Sequence, residues 1–183
     1  MSRSEAAAGG PSSQAADAVA AVALDLPTAA ATRALGRRLG ELAQPGDLLI
    51  LSGELGAGKT TLVQGLGEGL GVRGRVSSPT FVIARHHPAL GGGPGLLHVD
   101  AYRLDGLGQL DALDLDADLE DSVTAVEWGA GLAERLSAER LEVKLERPRG
   151  AQAGRAGTGE ARRAELRGIG RRWRDLPAQL RAR

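Results

Sequence analysis

No cysteine occurs in the 183 residues, which excludes disulfides and thiolate metal sites and suits a cytoplasmic protein. Aromatic residues are nearly missing, at 2%: Phe81, Tyr102, Trp128 and Trp173. A core must therefore come from Leu, Val and Ala, and a hydrophobic content of 42% suffices for one domain. No apolar run approaches the length of a membrane span. The short patch 18–24 lies between Asp17 and Asp25 with no basic run before it, so it does not read as a signal peptide. Lysine is scarce too, with two residues against 21 arginines.

One of those two lysines, Lys59, sits in Gly53-Glu-Leu-Gly-Ala-Gly-Lys-Thr60, which fits the phosphate-binding pattern G-x-x-x-x-G-K-[ST]. A chain that uses Arg elsewhere keeps a compact ammonium here, as a phosphate point contact requires. The flanks agree. Residues 47–52 read as a short strand with a continuously apolar centre, as a buried parallel strand has. Leu62, Val63, Leu66 and Leu70 then fall on one face of a helix that Gly71 ends. Strand, glycine loop and helix start make an anion cradle of backbone N–H groups.

The rest alternates strands and helices. Residues 1–18 are Ala-, Gly-, Ser- and Gln-rich and read as a disordered tail, and 171–183 as a basic extension beyond a domain at 19–170. A first strand is expected at 19–26, then a helix capped by Thr28 with Leu35, Leu39 and Leu42 at helical spacing. A Pro turn and short strand are expected within 77–84, a loop over 87–95 and a strand over 96–100. A mixture of helix and acidic loop covers 107–121, followed by a strand at 123–128 and a short helix at 131–136. The alternating run 141–145 reads as a half-buried strand that 163–169 can pair with antiparallel. The fold class is α/β: one P-loop NTPase domain, a mostly parallel central sheet flanked by helices, and an antiparallel strand pair at the C-terminal end.

A nucleotide needs Mg²⁺, which needs hard oxygen ligands. The hydroxyl after the lysine, Thr60, is one candidate. Asp100 and Glu127 end two apolar strands and would share the sheet's carboxyl edge with the loop. One can hold the metal while the other orients an attacking water; the pattern does not assign which. Ser77-Ser-Pro-Thr80 lies where a segment can cover a terminal phosphate, with Thr80 as a further candidate for the reaction. Phe81, Tyr102 and Trp128 each lie within two residues of a proposed site residue. Asp114-x-Asp116-x-Asp118 lacks the Gly and closing Glu of a calcium loop, and His86-His87 has no third ligand. No Asn-Lys-x-Asp run supports guanine specificity. Net charge is zero, yet 147–183 carries eleven arginines against three acids, so +8 there balances −8 elsewhere. Without interleaved aromatics this reads as a solvated face rather than a nucleic-acid surface.

Gly-Glu-Leu-Gly-Ala-Gly-Lys-Thr-Thr, Ser-Ser-Pro-Thr-Phe, His-Val-Asp-Ala-Tyr-Arg-Leu and Val-Glu-Trp, in this order, resemble the TsaE (YjeE) family over residues 24–169. The resemblance implies Mg²⁺-dependent ATP hydrolysis serving tRNA threonylcarbamoyladenosine synthesis. It implies work beside a TsaD–TsaB pair, with tRNA met through that complex and neither membrane nor DNA as partner. By motif it implies nucleotide contacts from Glu54, Leu55, Gly56, Ala57, Gly58, Lys59, Thr60, Thr61 and Trp128. Thr60 and Glu127 then serve the metal, and Asp100 the terminal phosphate and its water. Arg162 matches a late basic residue near the nucleotide. The chain has Ala101-Tyr102-Arg103 where the family commonly has Leu-Tyr-Arg. Two readings compete: a P-loop kinase acting on a small molecule, and a nucleotide-gated binding module.

Overall fold

A computed structural model of the chain describes residues 19–79, 82–104, 120–147 and 161–181. The tail 1–18, Thr80, Phe81, most of 107–121 with Asp114, Asp116 and Asp118, and the loop 149–159 lie outside the described residues. Seven strands form one sheet: β1 (Val19–Leu26), β2 (Leu48–Ser52), β3 (Ala84–His87), β4 (Gly95–Asp100), β5 (Ser122–Glu127), β6 (Arg140–Glu146) and β7 (Arg162–Ile169), in the order β1-β7-β6-β2-β5-β4-β3. The four central strands β6, β2, β5 and β4 run parallel, while β1, β7 and β3 pair antiparallel.

The apolar run of β2 is explained by burial on both sides. Leu49 and Leu51 face one core with Leu141, Val143 and Leu145, while Leu48 and Ile50 face a second with Leu97, Val99 and Val126. The first core is roofed by α1 (Ala29–Leu42) and α2 (Lys59–Leu70). The Thr28 hydroxyl accepts the Ala31 N–H at 3.1 Å and starts α1. Gly71, in the left-handed conformation, ends α2. The two helices approach backbone to backbone through Gly36, Gly40, Gly65 and Gly69, and Arg33 is paired with Glu68 across them.

In three places the local structure departs from the sequence reading. The short strand starts at Ala84 rather than before it, because the N–H groups of Val82 and Ile83 both donate to Pro79 O and close a turn. β3 runs on through His87, the first residue of the expected loop 87–95. The short helix of 131–136 is a single 3₁₀ turn, Ala133–Arg135. At the C-terminal end, Arg171–Trp173 forms another 3₁₀ turn and α3 (Leu176–Arg181) follows. Trp173 and Leu176 are fully buried in the first core. Among the described residues no helix is long and apolar enough to cross a membrane.

Candidate functional site

The carboxyl ends of β2, β4 and β5 meet the N-terminus of α2 around a cavity of about 270 Å³. The loop between β2 and α2 begins at Gly53, where a Cβ would lie 2.3 Å from Leu145 O, so only glycine fits. It ends at Gly58, left-handed at φ 106°, which turns the chain into α2 without a side-chain cap. The first-turn N–H groups of α2 thus have no capping oxygen from that residue.

Lys59 folds back over the loop. Its Nζ donates to Gly53 O at 2.8 Å and Glu54 O at 3.1 Å, and lies 3.7 Å from the centre of the Trp128 ring. Burial pushes its ammonium below the ordinary lysine value, and the charges of Glu127 and Asp100 pull it back up. Trp128 adopts φ 61°, a left-handed conformation rare outside glycine. Its indole also meets the Tyr102 ring, whose centre is 5.1 Å away.

The two strand-end acids are register partners on adjacent parallel strands, Asp100 beside Glu127. Both are buried. Glu127 accepts the Thr60 hydroxyl, with Oγ1 at 2.9 Å from Oε1 and 3.1 Å from Oε2. Asp100 Oδ1 accepts the Tyr102 N–H at 3.1 Å, which turns its carboxyl into the 3₁₀ turn that ends β4.

Gly56, Gly58, Lys59, Thr60, Thr61, Leu55, Asp100, Glu127, Trp128 and Arg162 all line the cavity. Leu55 is 85% exposed at its rim. Glu54 contributes its carbonyl to Lys59, and Ala57 its carbonyl to Arg162 Nε at 2.9 Å. Arg162 Nη2 also donates to Gly56 O at 3.1 Å, so its guanidinium holds the outer side of the loop. Thr80 lies outside the described residues; its neighbour Ser78 lines the cavity.

Sequence reasoning missed three contributors. Arg147 Nη2 donates to the same Gly56 O at 3.0 Å, and a loop arginine 91 positions away carries no local signal. Thr32 on α1 lines the cavity, reached only through the helix packing. His98 Nε2 lies 2.9 Å from Glu127 Oε1, and a lone His in an apolar strand reads as core.

The family model "Threonylcarbamoyl adenosine biosynthesis protein TsaE" matches residues 26–156, which include the loop, Asp100 and Glu127. The TsaE protein of Streptomyces coelicolor is 58% identical over 142 residues, 77% of this chain and 93% of its own. That of Mycobacterium tuberculosis is 54% identical over 129 residues, 67% of this chain and 77% of its own. Both are described as tRNA threonylcarbamoyladenosine biosynthesis proteins. The crystal structure of Bacillus subtilis YdiB superposes with a TM-score of 0.68 at 30% identity, covering 88% of this chain and 95% of that one. With a phosphate loop, two strand-end acids in register, a family match over most of the fold and relatives this similar, the chain belongs to the TsaE family.

Proposed function

We propose that the protein is a cytoplasmic, Mg²⁺-dependent ATPase that supports tRNA threonylcarbamoyladenosine synthesis beside a TsaD–TsaB pair. The observation that carries this reading is the convergence of Lys59, the Thr60–Glu127 pair and Asp100 on one cavity. The donor set fits the expected ligands. The glycine loop and the α2 N-terminus form a phosphate cradle, and Thr60 Oγ1 with the Glu127 carboxylate supplies hard oxygens for Mg²⁺. Among the described residues no cluster of three His, Asp or Glu side chains is placed to hold a metal. Mg²⁺ is usually bound through one or two protein oxygens, with phosphate oxygens and water completing its shell. Bound Mg²⁺ offsets the charge of the phosphates.

Each side chain then has a role. Lys59 exchanges its two carbonyl acceptors for phosphate oxygens. Arg147 and Arg162 hold the carbonyls of Gly56 and Ala57 outward, which leaves the loop's N–H groups to the nucleotide. Asp100 orients the water that attacks the terminal phosphorus and accepts its proton as the bond to the bridging oxygen breaks. Trp128 and Tyr102 offer an aromatic edge to the nucleotide. Against transfer to a small acceptor stands the engagement of the arginines a lid would need: Arg163 pairs with Asp25, Arg167 with Glu142 and Arg172 with Asp47.

The test is release of labelled phosphate from ATP, alone and with the TsaD–TsaB pair. Turnover is expected to be weak alone and to rise with the pair, with label appearing as free phosphate. Asp100→Ala is expected to lower turnover by about 10²–10⁴-fold while nucleotide binding persists. Label on an acceptor molecule, or a fully active Asp100→Ala protein, would contradict this reading.

A further inference from the structure

His98 sits in β4 between Leu97 and Val99 and is fully buried. Burying an imidazole among aliphatic residues costs stability unless its nitrogens are paired. Only one is: Nε2 meets Glu127 Oε1 at 2.9 Å, while Nδ1 has no partner among the described residues. A carboxylate can only accept, so Nε2 carries the hydrogen, and Nδ1 is the acceptor left over. An aliphatic residue would fill the position without an orphaned nitrogen. What the imidazole adds is an N–H aimed at the acid.

That acid needs a second hold. The Thr60 hydroxyl has one hydrogen, shared between the two Glu127 oxygens at 2.9 and 3.1 Å, so it alone fixes the carboxylate plane poorly. The terminal torsion of a glutamate is soft. Lys59, which lines the same cavity, attracts the same carboxylate. The His98 N–H, on the neighbouring strand, adds a second fixed contact and pins Oε1, the oxygen that also meets Thr60 Oγ1.

We propose that His98 is a positioning residue: its Nε2–H locks Glu127 against Thr60, so that the two oxygens meant for Mg²⁺ stay together. This rests on the Mg²⁺–ATP reading above. Losing the lock weakens the metal's grip and leaves nucleotide binding in its absence nearly unchanged, because His98 Nε2 bonds Glu127 while Lys59 bonds the loop carbonyls of Gly53 and Glu54.

The experiment titrates Mg²⁺ against binding of a fluorescent, non-hydrolysable ATP analogue, without turnover. The proteins are wild type, His98→Leu, His98→Phe and His98→Gln, each checked by circular dichroism and thermal melting. Removal of the donor in His98→Leu and His98→Phe is expected to raise the Mg²⁺ midpoint about 10–100-fold, the usual effect of losing an outer-shell hydrogen bond. Affinity in EDTA should stay within about threefold of wild type on the same argument. His98→Gln, which keeps an N–H near the Nε2 position, should recover most of the midpoint. An unchanged midpoint in whichever donor-free variant folds overturns the inference. So does a folded His98→Gln no better than that variant. A wild-type protein whose analogue binding ignores Mg²⁺ overturns the metal reading itself, a result distinct from Mg²⁺-dependent wild type with indifferent His98 variants.

Discussion

Lys59 is held in a place its charge dislikes. It is 5% exposed, its ammonium pushed down by burial and only partly restored by Glu127 and Asp100. The sign of the consequence follows from linkage. The unfolded chain binds the Lys59 proton more tightly than the folded one, so between the lowered folded value and 10.5, unfolding takes up protons and stability rises with pH. Lys59→Met removes that dependence. The stability of wild type relative to Lys59→Met, from denaturant melts, should therefore increase as pH rises through the alkaline range toward 10.5; a flat or falling difference would contradict the burial account. Trp128 stores strain at the same spot, about 1–2 kcal/mol for a left-handed residue. That conformation sets the indole against the lysine. Lys59, Thr60, Asp100 and Glu127 were legible because loop spacing and strand ends are local features of the chain. His98 and Arg147 were not, because their meaning lies in one partner each, Glu127 and Gly56, that only the sheet register and the loop's return bring near.

At the scale of elements, the α1–α2 contact sets where the phosphate loop can sit, since α2 begins at Lys59 and α1 borders the same cavity through Ala29 and Thr32. Glycine makes the contact possible. A Cβ at Gly36 would lie 2.0 Å from Leu62 O, and one at Gly65 would lie 2.0 Å from Arg33 O. Those atoms are backbone and cannot rotate away. Gly36→Ala and Gly65→Ala are each expected to destabilise by about 1–3 kcal/mol, the range for overpacking, although alanine favours helix by about 1 kcal/mol. Gly91→Ala, with open space at its Cβ, should change stability by less than about 0.5 kcal/mol. Urea melts of the three variants check this. The apolar spacing of Leu35, Leu39, Leu62 and Leu66 made both helices readable in the sequence. Their partnership was not, because a glycine on a helix face signals a weak helix as readily as a close neighbour. The start of β3 was misplaced for a similar reason: the Pro79 turn that delays it depends on Ile83 adopting φ 67°, which no propensity for Ile suggests.

Across the whole molecule the arginine-rich C-terminal part is structure rather than appendage. On the outward face of β6 and β7 the charges alternate and pair, Lys144 with Glu146 and Arg167 and Arg140 with Glu142. Of the last 37 residues, Arg163, Arg167 and Arg172 thus meet acids contributed by earlier segments, Asp25, Glu142 and Asp47. Arg172, among the described residues, instead reaches a buried acid. Its Nε and Nη2 reach Asp47 at 2.9 and 2.6 Å, Nη2 also donates to Leu42 O at 2.7 Å, and the guanidinium lies over the buried Trp173. Asp47 opens β2, so this pair ties the C-terminal turn to the strand that carries the phosphate loop. Burial lifts the Asp47 carboxyl above its ordinary value, while the Gln44 N–H and Arg172 pull it down. Removing Arg172 leaves a buried acid with only the Gln44 N–H, so Arg172→Met is expected to cost about 3–5 kcal/mol at neutral pH. Without its partner the folded carboxyl holds its proton to higher pH than the unfolded one does. The deficit should therefore shrink as pH falls toward the range where Asp47 becomes neutral. Asp47→Asn in the same background should restore part of the loss at neutral pH, because it removes the uncompensated charge. Chemical denaturation of the single and double variants from pH 5 to 8 measures both effects, and a deficit that ignores pH would show that Arg172 acts through packing on Trp173 instead.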